Sequence, residues 1–525
     1  MSNFFHQLVM DGATQWPNNL AASHKNEQLT YEQLAHDTQH FSAFIDQIDV
    51  PPFTRVAIYL PKSLPSVIAM FGCSMAGKVF VPINPVLKPL QVSHILDDCS
   101  AEILVTSRAR LKQLQRICNN AKSLQHVIVI DEGPEVMLNA NLHQWSASQP
   151  LSTPTGPINH TIQDMAAILY TSGSTGAAKG VVLSHQNLVL GAQSVARYLE
   201  NDQHDNILAL LPLSFDYGLS QVTTALFAGA HCILMDYLLP HDVVLAIKRY
   251  RITGVAAVPP LWSALMKCNW AQGDVSTVRY FTNSGGPMPQ ALLTKLRKTF
   301  HQASPYLMYG LTEAFRSTYL APEFIDSHSN SIGKAIPNAR VSVINENGET
   351  AQTGELGELV HSGPLVSLGY WNAKDKSDAR FKLINTDSQH CHLPQHAVFS
   401  GDWVTQDKEG FLYFVGRKDD MIKSSGYRIS PSEIEEVVYR QPKIIEAAAL
   451  GVPHPELGHG IIIVYKTDSD QNLETQLAAL CRSELANFMQ PHRYINIENM
   501  PHNANGKIDR SSLKKQLKNT FAGEL

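Results

Sequence analysis

A run of small polar residues follows an apolar stretch in AAILYTSGSTGAAKGVVLSH (166–185), and its composition suits a polyphosphate. Thr171, Ser172, Ser174 and Thr175 supply hydroxyls, and Lys179 adds a cation. Gly173, Gly176 and Gly180 let backbone N–H groups approach closely and take positive φ. The P-loop of nucleoside triphosphatases is excluded, because Lys179 precedes Gly180 rather than Ser or Thr and the glycine spacing differs. A flexible Ser/Gly loop has similar composition. Against that stand the strand entering the loop, the lysine at a fixed offset, and the second strand VVLSH behind it. HCH at 390–392 invites a metal, but three adjacent residues cannot wrap one tetrahedral ion, and a loop insertion is expected instead.

The elements that must hold such a loop are legible along the chain. Leu34–Ile45 and Leu64–Met75 pattern as helices, and VAIYL (56–60), Ile103–Thr106 and Val127–Ile130 as short strands, a rhythm that predicts β-α units around a mostly parallel sheet. QPLSTPTGPINH (149–160) reads as a linker before a second βα series starting at Met165. From Ser331 to Val415 turns are dense and helix patterns scarce, which suggests a small β-rich subdomain. Beyond Gly416, PSEIEEVVYR and LETQLAALCRSELANF read as helices, EAAALGVP and GIIIVYK as strands, and together they predict a compact α+β domain. The expected fold is α/β: a large N-terminal domain (1–416) of two β-α-layered subdomains plus the β-rich one, followed by a small C-terminal domain (417–525).

Composition narrows the function. With 525 residues, 44% hydrophobic, 17% charged and a net charge of -5, the chain has no basic footprint for nucleic acid. Its seven cysteines are scattered without C-x-x-C spacing, so neither a disulfide framework nor a zinc site is expected. No apolar run reaches the roughly 18 residues of a membrane span, and the N-terminus lacks a signal-peptide pattern. The expected setting is the cytoplasm.

TSGSTGAAKG resembles the phosphate loop of the ANL superfamily, which comprises acyl-CoA synthetases, adenylation domains of nonribosomal peptide synthetases and luciferases. LTYEQL (29–34), MAGKVFVPINP (75–85), YGLTEAFRSTY (309–319), FSGDWV (399–404), GRKDDMIKSSGYRISPSEIEEVV (416–438) and NANGKIDR (503–510) resemble its other motifs in the expected order, so the likeness covers nearly the whole chain. It implies ATP and Mg2+ as cofactors and activation of a carboxylic acid as its acyl-AMP. Thr171, Ser172, Gly173, Ser174, Thr175, Gly176 and Lys179 are then expected on the phosphates. Thr312 is expected at the α-phosphate, with Glu313 as magnesium ligand. Tyr309, with Gly285 and Gly286, is assigned to the adenine site, Gly310 to the nucleotide, Asp402 to the ribose, and Arg417 to the ribose or a phosphate. Lys507 is implied as the residue bridging acid and α-phosphate, an electrostatic role; on composition alone a lysine beside Asn and Gly reads as a solvated turn. The family's C-terminal domain is mobile, which puts a hinge at Asp419 and a pantetheine passage at Gly426.

LPLSFDYGLSQ (211–221) places Asp216 where amino-acid-adenylating domains hold the carboxylate that pairs with the substrate's α-ammonium. The same correspondence assigns Tyr217, Ser220, Thr282, Ser284, Met308, Arg316 and Ser317 to a small mixed pocket. Arg316 departs from the pattern: it either pairs with Asp216 or meets a polar substrate tail. The stretch from Leu307 onward also resembles stand-alone ligases that load an amino acid such as L-proline onto a carrier protein. The implied acceptor is therefore the phosphopantetheine thiol of a separate carrier protein or of coenzyme A, and the alternative is an acyl-CoA synthetase for a short or aryl acid. No nucleic acid or membrane partner is expected.

Overall fold

The computed structural model describes residues 2–146, 160–171, 178–270, 275–384, 394–417, 420–424, 427–454, 457–468, 472–485, 487–503 and 506–522. Two sheets build the large domain. The first has seven strands, in the order Asn141–Gln144, His126–Val129, Ile103–Thr106, Arg55–Tyr59, Val79–Pro82, Met165–Thr171 and Lys179–Ser184. All its pairs are parallel except the last, where Met165–Thr171 and Lys179–Ser184 run antiparallel. Its inner strands are buried on both faces, which is why they read as unbroken apolar runs such as ILVT. The helix Leu64–Met75 packs on it, entered by a reciprocal cap between Ser63 and Ser66 with a proline in the first turn.

The second sheet has fourteen strands. Its parallel part places Leu20–His24, His231–Leu234, Asn206–Ala209, Gly254–Ala257, Tyr280–Asn283 and Ser304–Tyr309 side by side. Thr318–Leu320 and Ser331–Ala335 then continue it antiparallel. The region after Ser331 is β-rich as expected, but it is not a separate sheet. Ser331–Ala335 pairs with Thr318–Leu320 on one side and Leu412–Arg417 on the other, so the shared strand carries the sheet onward. One helix, Lys374–Arg380, interrupts that region.

After Arg417 the chain enters a third sheet, of five strands, in which Ile444–His454 and Gly458–Thr467 form the long central hairpin. The helices Pro431–Tyr439 and Glu474–Glu484 share an apolar core with these strands. The expected linker at 149–160 falls, apart from His160, outside the described residues, as does HCH at 390–392.

Candidate functional site

Parallel strands of the large sheet end together, and their carboxyl ends open a crevice, the place where α/β sheets bind ligands. Asn206–Ala209 leads to Asp216, Gly254–Ala257 to Val258, Tyr280–Asn283 to Gly285 and Gly286, and Ser304–Tyr309 to the 3₁₀ turn Thr312–Ala314. Lys507 reaches this crevice from the small domain. Gly285 has φ +83°, and a Cβ there would lie 3.4 Å from Lys507 Cε and 3.3 Å from Val258 Cγ1, so both its conformation and its neighbours require glycine. Crowding by protein atoms holds the Lys507 ammonium below the usual lysine value; Asp216 pulls it up most, Arg417 pushes it further down, and Asp402 and Glu313 also pull it up. The residue as a whole remains solvent-exposed, so this describes the mouth of an open crevice rather than a sealed cavity.

The expected phosphate loop is flanked by two antiparallel strands, which pair up to Thr171 and Lys179. Ser172, Gly173, Ser174, Thr175 and Gly176 lie outside the described residues. Burial lowers the Lys179 ammonium, Lys376 lowers it further, Glu313 opposes, and Arg380 and Arg417 add to the lowering. Four cations gathered around one carboxylate suit the negative charge of a triphosphate. Sequence reasoning missed Lys376 and Arg380. They stand four apart on the helix Lys374–Arg380, a spacing that puts them on one face and was the available signal. Tyr370, also missed, donates to Glu313 Oε1 at 2.6 Å and lies under Lys179 Nζ at 5.5 Å. Glu313 offers hard carboxylate oxygens beside this cationic cluster. That fits magnesium, which takes one or two carboxylates and otherwise binds substrate phosphates and water.

Tyr309 and Asp402 meet directly, the phenol donating to Asp402 Oδ2. Arg417 is Asp402's cross-strand partner, with Nε 3.4 Å from Oδ1. Burial raises the Asp402 carboxyl, and Arg417 is the largest influence against that rise. Gly286 leaves a Cβ-sized space 3.4 Å from Pro259, whereas Gly310 is pressed by the Arg316 backbone, 3.1 Å away.

Asp216 heads the helix Asp216–Phe227 and is 5% exposed. Burial raises its carboxyl, with Arg316 and then Lys507 pulling it back. Beside it the Tyr217 hydroxyl bonds Thr282 Oγ1. Arg316 is 1% exposed, lies over the Tyr217 ring at 4.7 Å and donates from Nη1 to Ser284 Oγ at 3.4 Å. No ion pair joins it to Asp216 within 4.0 Å. Phe315 places it there from a backbone of φ +53°, rare for an aromatic residue, and Gly191 leaves the room that the Phe315 ring fills. A cavity of about 20 Å³ is lined by Tyr217, Ser220, Thr224, Thr282, Met308 and Arg316 among others. Ser317 is turned to His361 Nδ1 at 2.9 Å and does not line it, and neither do Asp216 and Ser284, which were expected in the pocket. Thr224 is a lining residue that the sequence reading did not name. A wider cavity of about 440 Å³ lies next to the crevice, reaching Ser214, Val258 and Gly506 and passing Lys62 and Arg110. Asp419 and Gly426 lie outside the described residues.

Residues 10–371 match the family of AMP-binding enzymes, and 433–507 match the AMP-binding enzyme C-terminal domain. The chain belongs to the AMP-binding enzyme family. This AMP-binding enzyme is 28% identical to a long-chain-fatty-acid–CoA ligase of Escherichia coli over 94% of the chain and 91% of the ligase. It is equally, 28%, identical to syringomycin synthase SyrB1 of Pseudomonas syringae pv. syringae, over 97% of the chain and 81% of SyrB1. In fold it resembles the anthranilate CoA ligase AuaEII in complex with anthranoyl-AMP, with a TM-score of 0.88 and 23% identity over 99% of this chain and 98% of that one. ATP-bound MatB from Rhodopseudomonas palustris superimposes with a TM-score of 0.85 at 22% identity, over 99% of this chain and 100% of MatB. The AMP-binding enzyme is an ATP-dependent ligase that activates a carboxylic acid. Among the described residues no helix is long and apolar enough to cross a membrane.

Proposed function

We propose that this enzyme activates a small amino acid as its aminoacyl-AMP and transfers the acyl group to the phosphopantetheine thiol of a separate carrier protein. The observation that carries this reading is Asp216, a buried carboxylate at the head of its helix and next to the cavity-lining Tyr217, with no ion-pair partner among the described residues within 4.0 Å. A buried charge needs a counter-charge, and an α-ammonium supplies one. L-proline is the first amino acid to test, on the resemblance to stand-alone ligases.

In the first half-reaction a carboxylate oxygen of the acid attacks the α-phosphorus of ATP, forming the acyl–phosphate bond as the bond to pyrophosphate breaks. Lys179, Lys376, Arg380 and Arg417 spread positive charge over the phosphates, and Thr171 and Thr312 add hydroxyls. Glu313 would hold magnesium, which would supply further neutralisation of that charge when bound. Tyr309, Gly285, Gly286 and Asp402 take the nucleoside. Lys507, over Gly285 and under the influence of Asp216, Asp402 and Glu313, stabilises the charge where acid and α-phosphate meet. In the second half-reaction the thiol attacks the acyl carbonyl, its proton is lost, and AMP leaves.

Lys507 comes from the small domain, so its withdrawal exposes the adenylate. We set the domain boundary at 416/417, the hinge at Asp419 and the pantetheine passage at Gly426. The change of sheet after Arg417 supports the boundary. The six described cysteines are free and five of them buried, which supports a cytoplasmic setting.

A second reading, an acyl-CoA synthetase, is favoured by the CoA-ligase relatives. The acid pocket's cavity of about 20 Å³ argues against a long chain. Pyrophosphate exchange with proline and with cyclopentanecarboxylate separates the readings, because the second keeps the ring and lacks the ammonium. Wild type should prefer the amino acid, and Asp216→Ala should lose about 2–5 kcal/mol of that preference. Preference for the desamino acid would refute the amino-acid reading.

A further inference from the structure

Arg316 is buried to 1% exposure, yet its hydrogen bonding is incomplete. Nη1 reaches Ser284 and the flat face rests on Tyr217, while Nε and Nη2 have no hydrogen-bond partner among the described residues. Those two N–H groups share one edge of the guanidinium fork, the edge that takes both oxygens of a carboxylate. Thr224 Oγ1, on the same cavity, is likewise buried without a partner. Leaving buried donors unmet is costly, and an incompletely bonded guanidinium lining a cavity is a feature of recognition rather than of packing.

We infer that the acid carries a second carboxylate, held along the Nε–Nη2 edge of Arg316, so that the substrate is a short amino dicarboxylic acid of the aspartate type. This rests on the amino-acid reading and departs from its proline form, since the proline ring offers no acceptor. Charge balance supports it. Arg316 lines the cavity and Asp216 lies near it, outside the lining, as one positive and one negative group that feel each other without forming an ion pair. A substrate with an ammonium at one end and a carboxylate at the other neutralises both, whereas a monocarboxylic amino acid leaves the guanidinium unpaired. Size limits it too. The cavity of about 20 Å³ is little larger than one water, the scale of a compact end group and not of a long chain. Thr224 then donates to the same carboxylate.

Wild-type pyrophosphate exchange with aspartate, leucine, proline and succinate tests each part separately. Leucine keeps aspartate's branched shape without its charge, and succinate keeps both carboxylates without the ammonium. The expected order is aspartate above leucine and proline by about 100-fold or more, as for a site built around a hydrogen-bonded group. Arg316→Met should erase that margin in favour of leucine, and Arg316→Lys, which keeps charge without the fork, should recover part of it. Leucine or proline equal to aspartate, with desamino acids still rejected, overturns the role of Arg316 and leaves the amino-acid reading standing. Succinate above aspartate overturns the amino-acid reading and the amino dicarboxylic assignment with it. If the variants fold poorly, calorimetric binding of aspartyl- and leucyl-sulfamoyladenosine to wild type decides the matter, and equal affinity overturns the inference.

Discussion

Arg279 and Arg316 stand at opposite ends of the same parallel strands. Arg279 precedes Tyr280–Asn283 at the amino ends, and every guanidinium nitrogen is occupied. Nε and Nη2 donate to Asp205 Oδ1 and Oδ2 at 2.8 and 2.5 Å, and Nη1 and Nη2 reach the carbonyls of Leu199 and Glu200 at 2.8 and 2.9 Å. Asp205 is 3% exposed and also accepts from Thr253 and Asn201. Arg316, beyond Ser304–Tyr309 at the carboxyl ends, is more deeply buried and less satisfied. The amino ends spend their charges on closing the fold. The carboxyl ends hold charges that the fold does not complete, namely Asp216, Arg316 and Lys507. A polar group's unmet valence, more than its burial, marks the face that meets ligand.

The largest expected effect follows from Lys507, the farthest-travelled of the ligand-facing charges. Lys507→Ala should lower adenylate formation by about two to three orders of magnitude. Thioester formation from supplied acyl-AMP should stay near wild type, and thermal stability should not move. Near-normal pyrophosphate exchange in the variant would remove Lys507 from the chemistry.

Arg279→Ala should do the reverse. It strands a buried carboxylate that keeps only neutral partners, so unfolding free energy should fall by about 3 kcal/mol, the low end for breaking a buried pair. Turnover of the folded fraction should be unchanged. Chemical denaturation with activity measured below the transition checks both, and a variant as stable as wild type would mean that Thr253, Asn201 and the Asp202 backbone N–H suffice to hold Asp205.

This contrast also explains what was legible beforehand. Leu64–Met75 and Ile103–Thr106 could be read to the residue because apolar runs between clear caps or turns leave little choice. The C-terminal hairpin was legible for the same reason. The continuity of the β-rich region with the large sheet was not, since a shared strand such as Ser331–Ala335 depends on pairing far along the chain. Within the site, Lys179, Glu313, Asp402 and Lys507 stood in recognisable motifs. Lys376, Arg380 and Tyr370 did not, because it is long-range pairing of the segment 368–371 with the strand Lys179–Ser184 that brings Tyr370, and the helix that follows it, beside Lys179. Ser317 shows the opposite limit: a sequence position beside Arg316 does not fix which way a side chain turns.

A smaller effect separates the ligand-facing charges by pH. Burial raises the Asp216 carboxyl above its ordinary value of about 3.9 and lowers the Lys507 ammonium beneath about 10.4. Asp216 works as the anion, so kcat/KM for an amino acid should fall as pH drops through that raised value. Lys507 works as the cation, so the rate should fall as pH rises through its lowered value. The profile should therefore be narrower than free side chains would give. Asp216→Asn should abolish the acid limb and leave the alkaline one, and an acid limb unchanged in that variant would assign it elsewhere.

The smallest effect is the one expected on stability from Arg316→Met, and it sharpens the comparison most. Truncating Arg279 leaves a buried charge without its counter-ion, but replacing Arg316 removes a buried cation that has no ion pair to break. Methionine is flexible enough to fill the space beside Tyr217, and volume-conserving exchanges in a core usually change stability by less than about 1.5 kcal/mol. Two losses oppose any gain: the bond to Ser284 and the stacking on Tyr217. Asp216 also loses its largest stabilising influence, so its carboxyl should rise further and bind a proton at higher pH. Unfolding at neutral pH should thus lie within about 1.5 kcal/mol of wild type. The acid limb of kcat/KM should move upward in pH. A loss as large as that of Arg279→Ala would show that Arg316 is bonded into the fold after all, and the two ends of the sheet would no longer differ in kind.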